Sequence, residues 1–321
     1  MSNEKSLKTK NTPTAPKKRF FNVEKRFGYT MHEIWRNKMS YALVAPFFIA
    51  FIIFQVIPLV VSTVLSLFYY NILEDPTWVG LDNFVYLFVD DTLFLKAFSN
   101  TMYYAVITGP TSYLMQYFFA WFINQTPKKL KPFYVFAFYT PAMTGGIVST
   151  VVWGIMFASD SQGYLNAILL NMGLISEPVQ WLITPSYIMP ITIFVTLWSS
   201  LGTGFLSFVA GFAGVNRELY DAAEVDGVTS RFQKLIYVDI PQTMPQMLFA
   251  AILQITGAFS VGATMGGHPS PEDAGLTIML HLGDYSGTRF EVGYASAIAV
   301  VLTIIIQGCG RLAFKAFGSK E

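Results

Sequence analysis

Charged residues are scarce in this chain. Asp, Glu, Lys and Arg together make up 13% of its 321 residues, and hydrophobic residues make up 53%. Soluble domains carry nearer a quarter charged residues, so this composition excludes an ordinary soluble domain. Stretches without any charged residue cover 39–73, 97–127, 132–159, 178–216, 240–271 and 292–310.

Each uncharged stretch is long enough to hold one transmembrane helix, because a hydrocarbon core of about 30 Å requires roughly 20 apolar residues of α-helix. The sequence therefore predicts an all-α integral membrane protein with six transmembrane helices. We expect them at about 41–70, 98–123, 133–157, 187–212, 243–265 and 292–312. No charge lies deep in any of them, which argues against a proton relay or ion-coupled transport.

Cysteine, histidine and phosphate-binding motifs are rare or missing. The single cysteine, Cys309, excludes an intramolecular disulfide, and we expect it to pack as a small apolar side chain. The histidines His32, His268 and His281 show no metal-ligand spacing, and we expect them to be solvated. No G-x-x-x-x-G-K-[ST] loop occurs, so the chain has no ATP cradle of that kind. No nucleophile and base can be paired either, so no catalytic residue is predicted.

Basic residues are concentrated in alternate loops. Nineteen of the 21 Lys and Arg residues lie in segments 1–40, 124–132, 213–241 and the C-terminal part from Arg311 onward. Because cytoplasmic loops collect Lys and Arg, both termini and the loop 213–241 are predicted to be cytoplasmic.

The predicted organisation follows from these patterns. A basic tail, 1–40, includes a stretch at 18–38 that suits either an interfacial helix or a solvated tail. The first helix, 41–70, leads to an extracytoplasmic loop at 71–97. A core with five helices then spans 98–312 and contains the cytoplasmic loop 213–241, and a short tail covers 313–321.

The loop 213–241 predicts two short helices joined by a turn. Asn216 can cap a helix that begins at Arg217, Gly227 permits the turn that ends it, and Thr229 or Ser230 can cap the second helix. At spacing i, i+3, i+4 and i+7 on one face of the first helix lie Leu219, Ala222, Ala223 and Asp226. Such an amphipathic unit either docks into a groove of a partner or packs under its own helices.

The same residues resemble the EAA motif of ABC-importer permeases. That motif reads E-A-A, three residues, Gly, about nine residues and I-x-L-P, with Asp before the Gly in the sugar branch. Here Asp221-Ala222-Ala223-Glu224-Val225-Asp226-Gly227 fits it and is followed by Val238-Asp239-Ile240-Pro241. Four departures are Asp221 for the first Glu, Val228 for the usual Ala after the glycine, Asn216 where Pro is common, and ten residues instead of nine before Val238. The extra residue turns the second helix by about 100° unless a bulge absorbs it.

Other stretches resemble the carbohydrate permeases of this class. They are Gly80-Leu81-Asp82-Asn83-Phe84, Tyr139-Thr140-Pro141, Gly257-Ala258-Phe259, Gly266-Gly267-His268-Pro269 and Glu291-Val292-Gly293-Tyr294-Ala295-Ser296-Ala297. The resemblance covers roughly 41–312 and is closest to the first permease of maltose-type and glycerol-3-phosphate-type importers.

This resemblance implies a membrane subunit of an ATP-driven sugar importer in a bacterial or archaeal cytoplasmic membrane. The implied partners are a second, similar permease, two ABC ATPase subunits that bind ATP and Mg, and an extracytoplasmic solute-binding protein. No cofactor is expected in this chain itself. The residues implied to couple it to the ATPase are Leu219, Asp221, Ala222, Ala223, Asp226, Gly227 and Phe232.

Hydroxyl side chains are the candidates for binding a sugar. Thr196, Ser199, Ser200 and Thr203 recur at one helical face of the fourth predicted span, with Thr144, Ser149 and Ser260 as weaker candidates. The alternative is helix packing, because small hydroxyl residues also let membrane helices approach closely. Two alternative functions stay open: a carrier that acts alone, and a permease of another ABC branch for glycerol phosphate, amino acids or peptides.

Overall fold

The computed structural model describes residues 33–262, 265, 267 and 269–317. The described residues belong to two compact units, one that ends at Leu59 and one that begins at Val60. Three predicted segments lie partly outside the described residues: the tails 1–40 and 313–321 and the stretch 18–38. His32 and His268 lie wholly outside them.

Helices dominate the described residues. They are α1 (Lys38–Phe51), α2 (Ile57–Leu65), α3 (Asp82–Val89), α4 (Thr92–Asn124), α5 (Lys131–Met143), α6 (Gly146–Met156), α7 (Tyr164–Asn171), α8 (Pro185–Trp198), α9 (Thr203–Gly214), α10 (Arg217–Val225), α11 (Arg231–Lys234), α12 (Ile240–Gln242), α13 (Met244–Phe259), α14 (Ile278–Gly283) and α15 (Val292–Phe317). π-Helical turns occupy Ile52–Val56, Leu235–Asp239 and Asp284–Thr288, and a 3₁₀ turn covers Pro271–Asp273. The strands β1 (Phe68–Tyr69) and β2 (Thr77–Trp78) pair antiparallel.

Three helical stretches of the described residues are long and apolar enough to cross a membrane. They are Lys38–Leu65, Pro185–Gly214 and Val292–Phe317, and the bent pair α5–α6 adds a fourth if it forms one span. Helix α4 also covers the predicted range 98–123, and α13 covers the predicted range 243–265 only up to Phe259. The helical class is confirmed. The number of six spans stays a prediction.

The first predicted span has a different end. The helix stops at Leu65, and Phe68 pairs with Trp78 in the β1–β2 hairpin, so the expectation of a helix up to residue 70 is wrong. No residue of Lys38–Leu65 is buried. Its exposed Phe, Ile and Val side chains suit a hydrocarbon surrounding rather than water.

Helix α4 is the central element of the larger unit. It packs against α8, α9, α13 and α14. Its buried positions recur every three or four residues, and many of them are small or polar: Ala97, Thr101, Ala105, Thr108, Ser112, Gln116 and Ala120. Small and hydrogen-bonding side chains at helix contacts are what close packing in a membrane requires.

Two predicted spans are interrupted. Gly145 adopts a φ of +73° between α5 and α6, and the two helices are bent by 88°. Residues 199–202 break the fourth span between α8 and α9. Broken helices at membrane depth are tolerated where the freed backbone lies inside the protein or lines a cavity.

The stretches Gly80–Phe84 and Glu291–Ala297 meet at the end of the hairpin strand β1. The side-chain amide of Asn83 donates 2.9 Å hydrogen bonds to the carbonyl oxygens of Ser66 and Phe68. A Cβ on Gly293 would lie 2.1 Å from the same Phe68 oxygen, so only glycine fits there. Local packing thus accounts for these two stretches.

A buried carboxylate joins the first turn of α4 to α14 and α15. Asp91 accepts 2.8 Å hydrogen bonds from the Phe94 amide and from His281 Nε2, and a 2.5 Å bond from the Tyr294 hydroxyl. The expectation that His281 is solvated is wrong, because the ring is 2% exposed and its donor is held by Asp91. Burial raises the pKa of Asp91, but the hydrogen bonds outweigh burial and hold that pKa below its ordinary value.

Cys309 packs beside a hydrophobic cluster formed by α4, α13, α14 and α15, as expected for an apolar role. It also borders an apolar groove of about 490 Å³ between α4, α13 and α15. Small side chains such as Ala105 and Ala313 contribute to the lining of this groove.

Candidate functional site

The first helix of the predicted coupling segment forms as expected. Asn216 accepts a hydrogen bond from the Glu218 amide at 3.2 Å and so caps α10. At the other end, Val228 N–H donates to Ala223 O at 2.8 Å and Gly227 N–H donates to Glu224 O at 3.1 Å. This is the Schellman arrangement, and the φ of +85° at Gly227 explains why a glycine is required.

The second helix is short and ends in a π turn. Ser230, rather than Thr229, caps α11 and forms a capping box with Gln233. The π turn Leu235–Asp239 follows at once. A π turn takes up one extra residue, which explains how ten residues fit where the EAA motif has about nine.

The predicted coupling residues form an exposed surface. Six of the seven are exposed and Ala223 is half-buried. Apolar side chains are unusually open here, since Val225 is 89% and Phe232 is 63% exposed. An ion pair between Glu224 and Lys234 ties the two short helices together. A charged segment with apolar side chains held outward fits a docking role better than packing under its own helices.

A second feature is a cavity of about 210 Å³ at the two interrupted spans. It is lined by Pro141, Ala142, Gly145, Gly146, Ser149, Thr150, Thr192, Val195, Thr196, Ser199 and Met265. The bend at Gly145 and the end of α8 both open into it, so the breaks in the helices create the space. None of the described residues that line it is Asp, Glu, Lys or Arg.

The structure brings together only some of the predicted sugar-binding residues. Ser149, Thr196 and Ser199 line the cavity, and Thr144 bonds to Ser149 at 3.0 Å between the hydroxyl oxygens. Ser200, Thr203 and Ser260 do not line it. The expected hydroxyl stripe on one helix is wrong, because α8 ends at Trp198 and Ser199 and Ser200 lie in the break.

Two cavity hydroxyls were not predicted. Thr150 follows Ser149 directly, and Thr192 lies one turn before Thr196, so the i, i+4 spacing of the hydroxyl residues already indicates Thr192. The Thr196 hydroxyl donates to Thr192 O at 2.9 Å and accepts a 2.9 Å hydrogen bond from the Tyr104 hydroxyl. These bonds fix the orientation of the polar wall.

One wall of the cavity is apolar and backed by aromatic rings. Val195 and Met265 belong to a cluster packed against Trp153, Phe157 and Trp181. The Trp153 ring lies edge-on to Trp198, with ring centroids 5.3 Å apart. A lining that combines hydroxyl groups with apolar side chains suits a solute with both hydroxyls and C–H faces. No group of three or more potential metal ligands occurs among the described residues.

Comparison with known proteins decides the family. The probable ABC transporter permease protein YesP of Bacillus subtilis (strain 168) is 30% identical over 284 residues, which cover 87% of this chain and 90% of that protein. This chain belongs to the family of ABC transporter permeases. The permease is also 30% identical over 271 residues to the arabinooligosaccharides transport system permease protein AraP of Halalkalibacterium halodurans, with 84% of each chain covered. No protein-family model matches the permease.

A solved structure shares the fold of the permease. A chain of a bacterial ABC transporter involved in the import of the acidic polysaccharide alginate superposes with a TM-score of 0.72 at 23% identity. The match covers 89% of the permease and 99% of that chain. The permease is therefore an integral membrane protein of the ABC-importer fold, and its sequence resemblance to that class is confirmed.

Proposed function

We propose that the permease translocates a sugar, most simply an oligosaccharide, in an importer driven by ATP. Sequence relatives support the solute class, since AraP is named for arabinooligosaccharides and the lactose transport system permease protein LacF of Rhizobium radiobacter is 26% identical over 284 residues. The cavity supports it through chemistry, because its hydroxyl lining and lack of charge suit a neutral, hydroxylated solute better than an ionic one.

The proposed assembly contains a second permease, two ABC ATPase subunits and an extracytoplasmic binding protein. The related alginate transporter has been solved in complex with an alginate-bound periplasmic protein. ATP and Mg bind to the ATPase subunits, which carry out hydrolysis. The permease spans the membrane six times with both termini in the cytoplasm, in agreement with the positions of its Lys and Arg residues.

The observation that carries this proposal is the exposed face of α10 and α11. Leu219, Ala222 and Phe232 lie uncovered on a segment held rigid by an N-cap, a glycine turn and an ion pair. This face is proposed to dock into a groove on the ATPase subunit. Closure of the ATPases moves the segment and shifts the permease pair between outward-open and inward-open packing.

The cavity is the proposed path for the solute. The Thr196 and Ser199 hydroxyls, whose hydrogens are held by backbone carbonyls, accept hydrogen bonds from solute hydroxyl groups. Ser149, Thr150 and Thr192 extend that wall. We assign no binding role to Ser200, Thr203 or Ser260, whose side chains lie outside the cavity lining.

The test uses the complete importer reconstituted in liposomes, with the binding protein added on the extracytoplasmic side of the permease. Gly227→Pro removes the turn, and Ala223→Arg places a bulky charge on the half-buried docking position. Both variants should insert normally but lose uptake and binding-protein-stimulated ATP hydrolysis. Lys129→Ala, at an exposed position in a different loop, serves as the control. Normal uptake by both docking variants would refute the coupling role.

A further inference from the structure

The proposed docking face does not explain two residues behind it, Tyr220 and Asp239. Tyr220 lies on α10 but is half-buried, and Asp239 ends the π turn and is 1% exposed. The Tyr220 hydroxyl donates a hydrogen bond to Asp239 Oδ1. The contact joins the first short helix to the segment that leads into the span α13.

Asp239 is a buried acid without a cationic partner. No Lys, Arg or His of the described residues forms an ion pair with it. Burial raises its pKa above the ordinary value, and the hydrogen bond from Tyr220 offsets only part of that rise. A buried polar group is costly to leave unpaired, so the bond to Asp239 favours the arrangement in which the Tyr220 hydroxyl lies beside that carboxyl.

The contact continues into the helix bundle. The Asp239 carbonyl oxygen accepts hydrogen bonds from Thr243, from the amide at 2.9 Å and from the hydroxyl at 2.8 Å. The Thr243 hydroxyl lies 3.2 Å from the Tyr117 hydroxyl on α4. The Tyr117 ring in turn packs on Phe208 of α9, with centroids 5.0 Å apart. One chain of contacts thus joins α10 to α13, α4 and α9.

The π turn determines the direction of the Asp239 side chain, which is buried. Each residue of an α-helix turns the chain by about 100°, so an uninterrupted helix from Arg231 would present residue 239 in another direction. The π turn accommodates the extra residue of this loop, and the buried Asp239 is the last residue of that turn. In the same turn Val238 is also buried, whereas Tyr237 is 67% exposed, so the turn has a buried side and an exposed side.

We propose that Tyr220 and Asp239 form the positioning pair that converts movement of the docked α10–α11 unit into movement of the membrane helices. They bind neither solute nor ATPase. This inference rests on the proposed function of the segment, because it concerns how movement is transmitted after the segment has docked on the ATPase. Without the pair, α10 can follow the ATPase while α13 stays behind.

The variants Tyr220→Phe and Asp239→Ala remove the contact from either side. In the complete importer both should keep ATPase association and ATP hydrolysis, while solute uptake per ATP falls by roughly fivefold or more, the lower range of coupling between distant sites. Asp239→Asn keeps an Oδ1 acceptor and should restore most of the ratio. Tyr237→Phe, which removes an exposed hydroxyl from the same π turn, is the matched control.

The double variant Tyr220→Phe/Asp239→Ala separates one shared contact from two independent effects. If the pair acts as a unit, the double variant is no worse than the worse single variant. Additive losses would overturn the proposal. So would a wild-type ratio of uptake to hydrolysis in both single variants, even if the assembled complex were less stable to heat.

The docking variants distinguish failure of this inference from failure of the proposed function. If Gly227→Pro and Ala223→Arg keep normal uptake, the segment is not the coupling element and both ideas fail. If those two variants lose uptake while Tyr220→Phe and Asp239→Ala keep the wild-type ratio, docking stands and the positioning pair is refuted.

Discussion

The side-chain amide of Gln116 in α4 donates a 2.6 Å hydrogen bond to the backbone carbonyl of Ser200, within the break between α8 and α9. The contact is possible because residue 204 is a glycine, where a Cβ would lie 2.4 Å from Gln116 Oε1. A carbonyl freed by the helix break is thus satisfied by a side chain of the central helix. The break next to the cavity is therefore stabilised by a specific hydrogen bond and is not a frayed helix end.

Replacing Gln116 with Met should therefore loosen this break. The change keeps the side-chain volume nearly constant but leaves the Ser200 carbonyl without its donor, at a cost of about 1–3 kcal/mol in the free energy of unfolding. Chemical denaturation of the detergent-solubilised protein measures the loss. Gln125→Met, at an exposed position just beyond the same helix, is the control and should change little. Equal stability of the two variants would show that the break does not depend on Gln116.

Filling the cavity should block transport without unfolding the permease. Gly146 lines the cavity, and a Cβ at this position would meet no atom within 4 Å. Gly146→Leu should therefore be accommodated by the fold and reduce solute uptake tenfold or more, roughly the effect of a binding loss of 1.4 kcal/mol. Gly154→Leu lies on the same helix, also has free space, and does not line the cavity. Normal uptake with Gly146→Leu, or equal losses in both variants, would argue against the cavity as the path.

Asn166 should hold the loop between α6 and α8 in place. Its side-chain amide donates to the carbonyl oxygens of Ala158, Asp160 and Val179 at 3.0–3.1 Å, and its oxygen accepts from the Val179 amide and from Trp181 Nε1. Asn166→Ala removes all the hydrogen bonds of this fully buried side chain, at about 1 kcal/mol for each bond lost. We expect faster proteolytic cleavage within 158–184 and little change for the exposed control Asn171→Ala. Unchanged cleavage would contradict this role.

The Asp91 carboxylate should make stability depend on pH in the acid range. Its pKa is lower in the folded protein than the ordinary 3.8, so it stabilises the fold above that pH and loses this contribution as the pH falls through the folded value. The difference in unfolding free energy between wild type and Asp91→Asn should be largest near neutral pH and shrink below pH 3.8. Denaturation curves in detergent from pH 7 to about 3 measure it. Asp90→Asn, next to it but exposed, should show no such trend.

The local structure of the coupling segment could be predicted from the sequence. Asn216 and Gly227 act on backbone groups within five residues, so the residue types alone indicate the cap and the turn. The π turn was predictable only as one of two ways to accommodate an extra residue. Which of Thr229 and Ser230 caps the second helix depended on the path of the chain, which the sequence left open.

The breaks in the spans could not be predicted because the residues around them are ordinary in membrane helices. Gly145 is followed by another glycine, and either could continue a transmembrane helix. The polar residues at 196–203 fitted a continuous helical face until the chain was seen to leave the helix at Ser199. Hydropathy registers the length of an apolar stretch but not its curvature.

The buried pairs depended on contacts between distant parts of the chain. His281 and Asp91 are 190 residues apart, and nothing near His281 in the sequence distinguishes it from a solvated ring. Tyr220 and Asp239 are 19 residues apart, across a turn whose geometry depends on the π insertion. Such pairs become visible only when the fold brings the two elements together.

Cys309 is the single cysteine among the 321 residues, and its surroundings give it a practical use. It borders the groove between α4, α13 and α15, so a probe attached there would report relative displacement of three helices without any engineered residue. A single added cysteine then suffices for a distance measurement within the chain. The permease therefore carries its own attachment point for spectroscopy of the transport cycle.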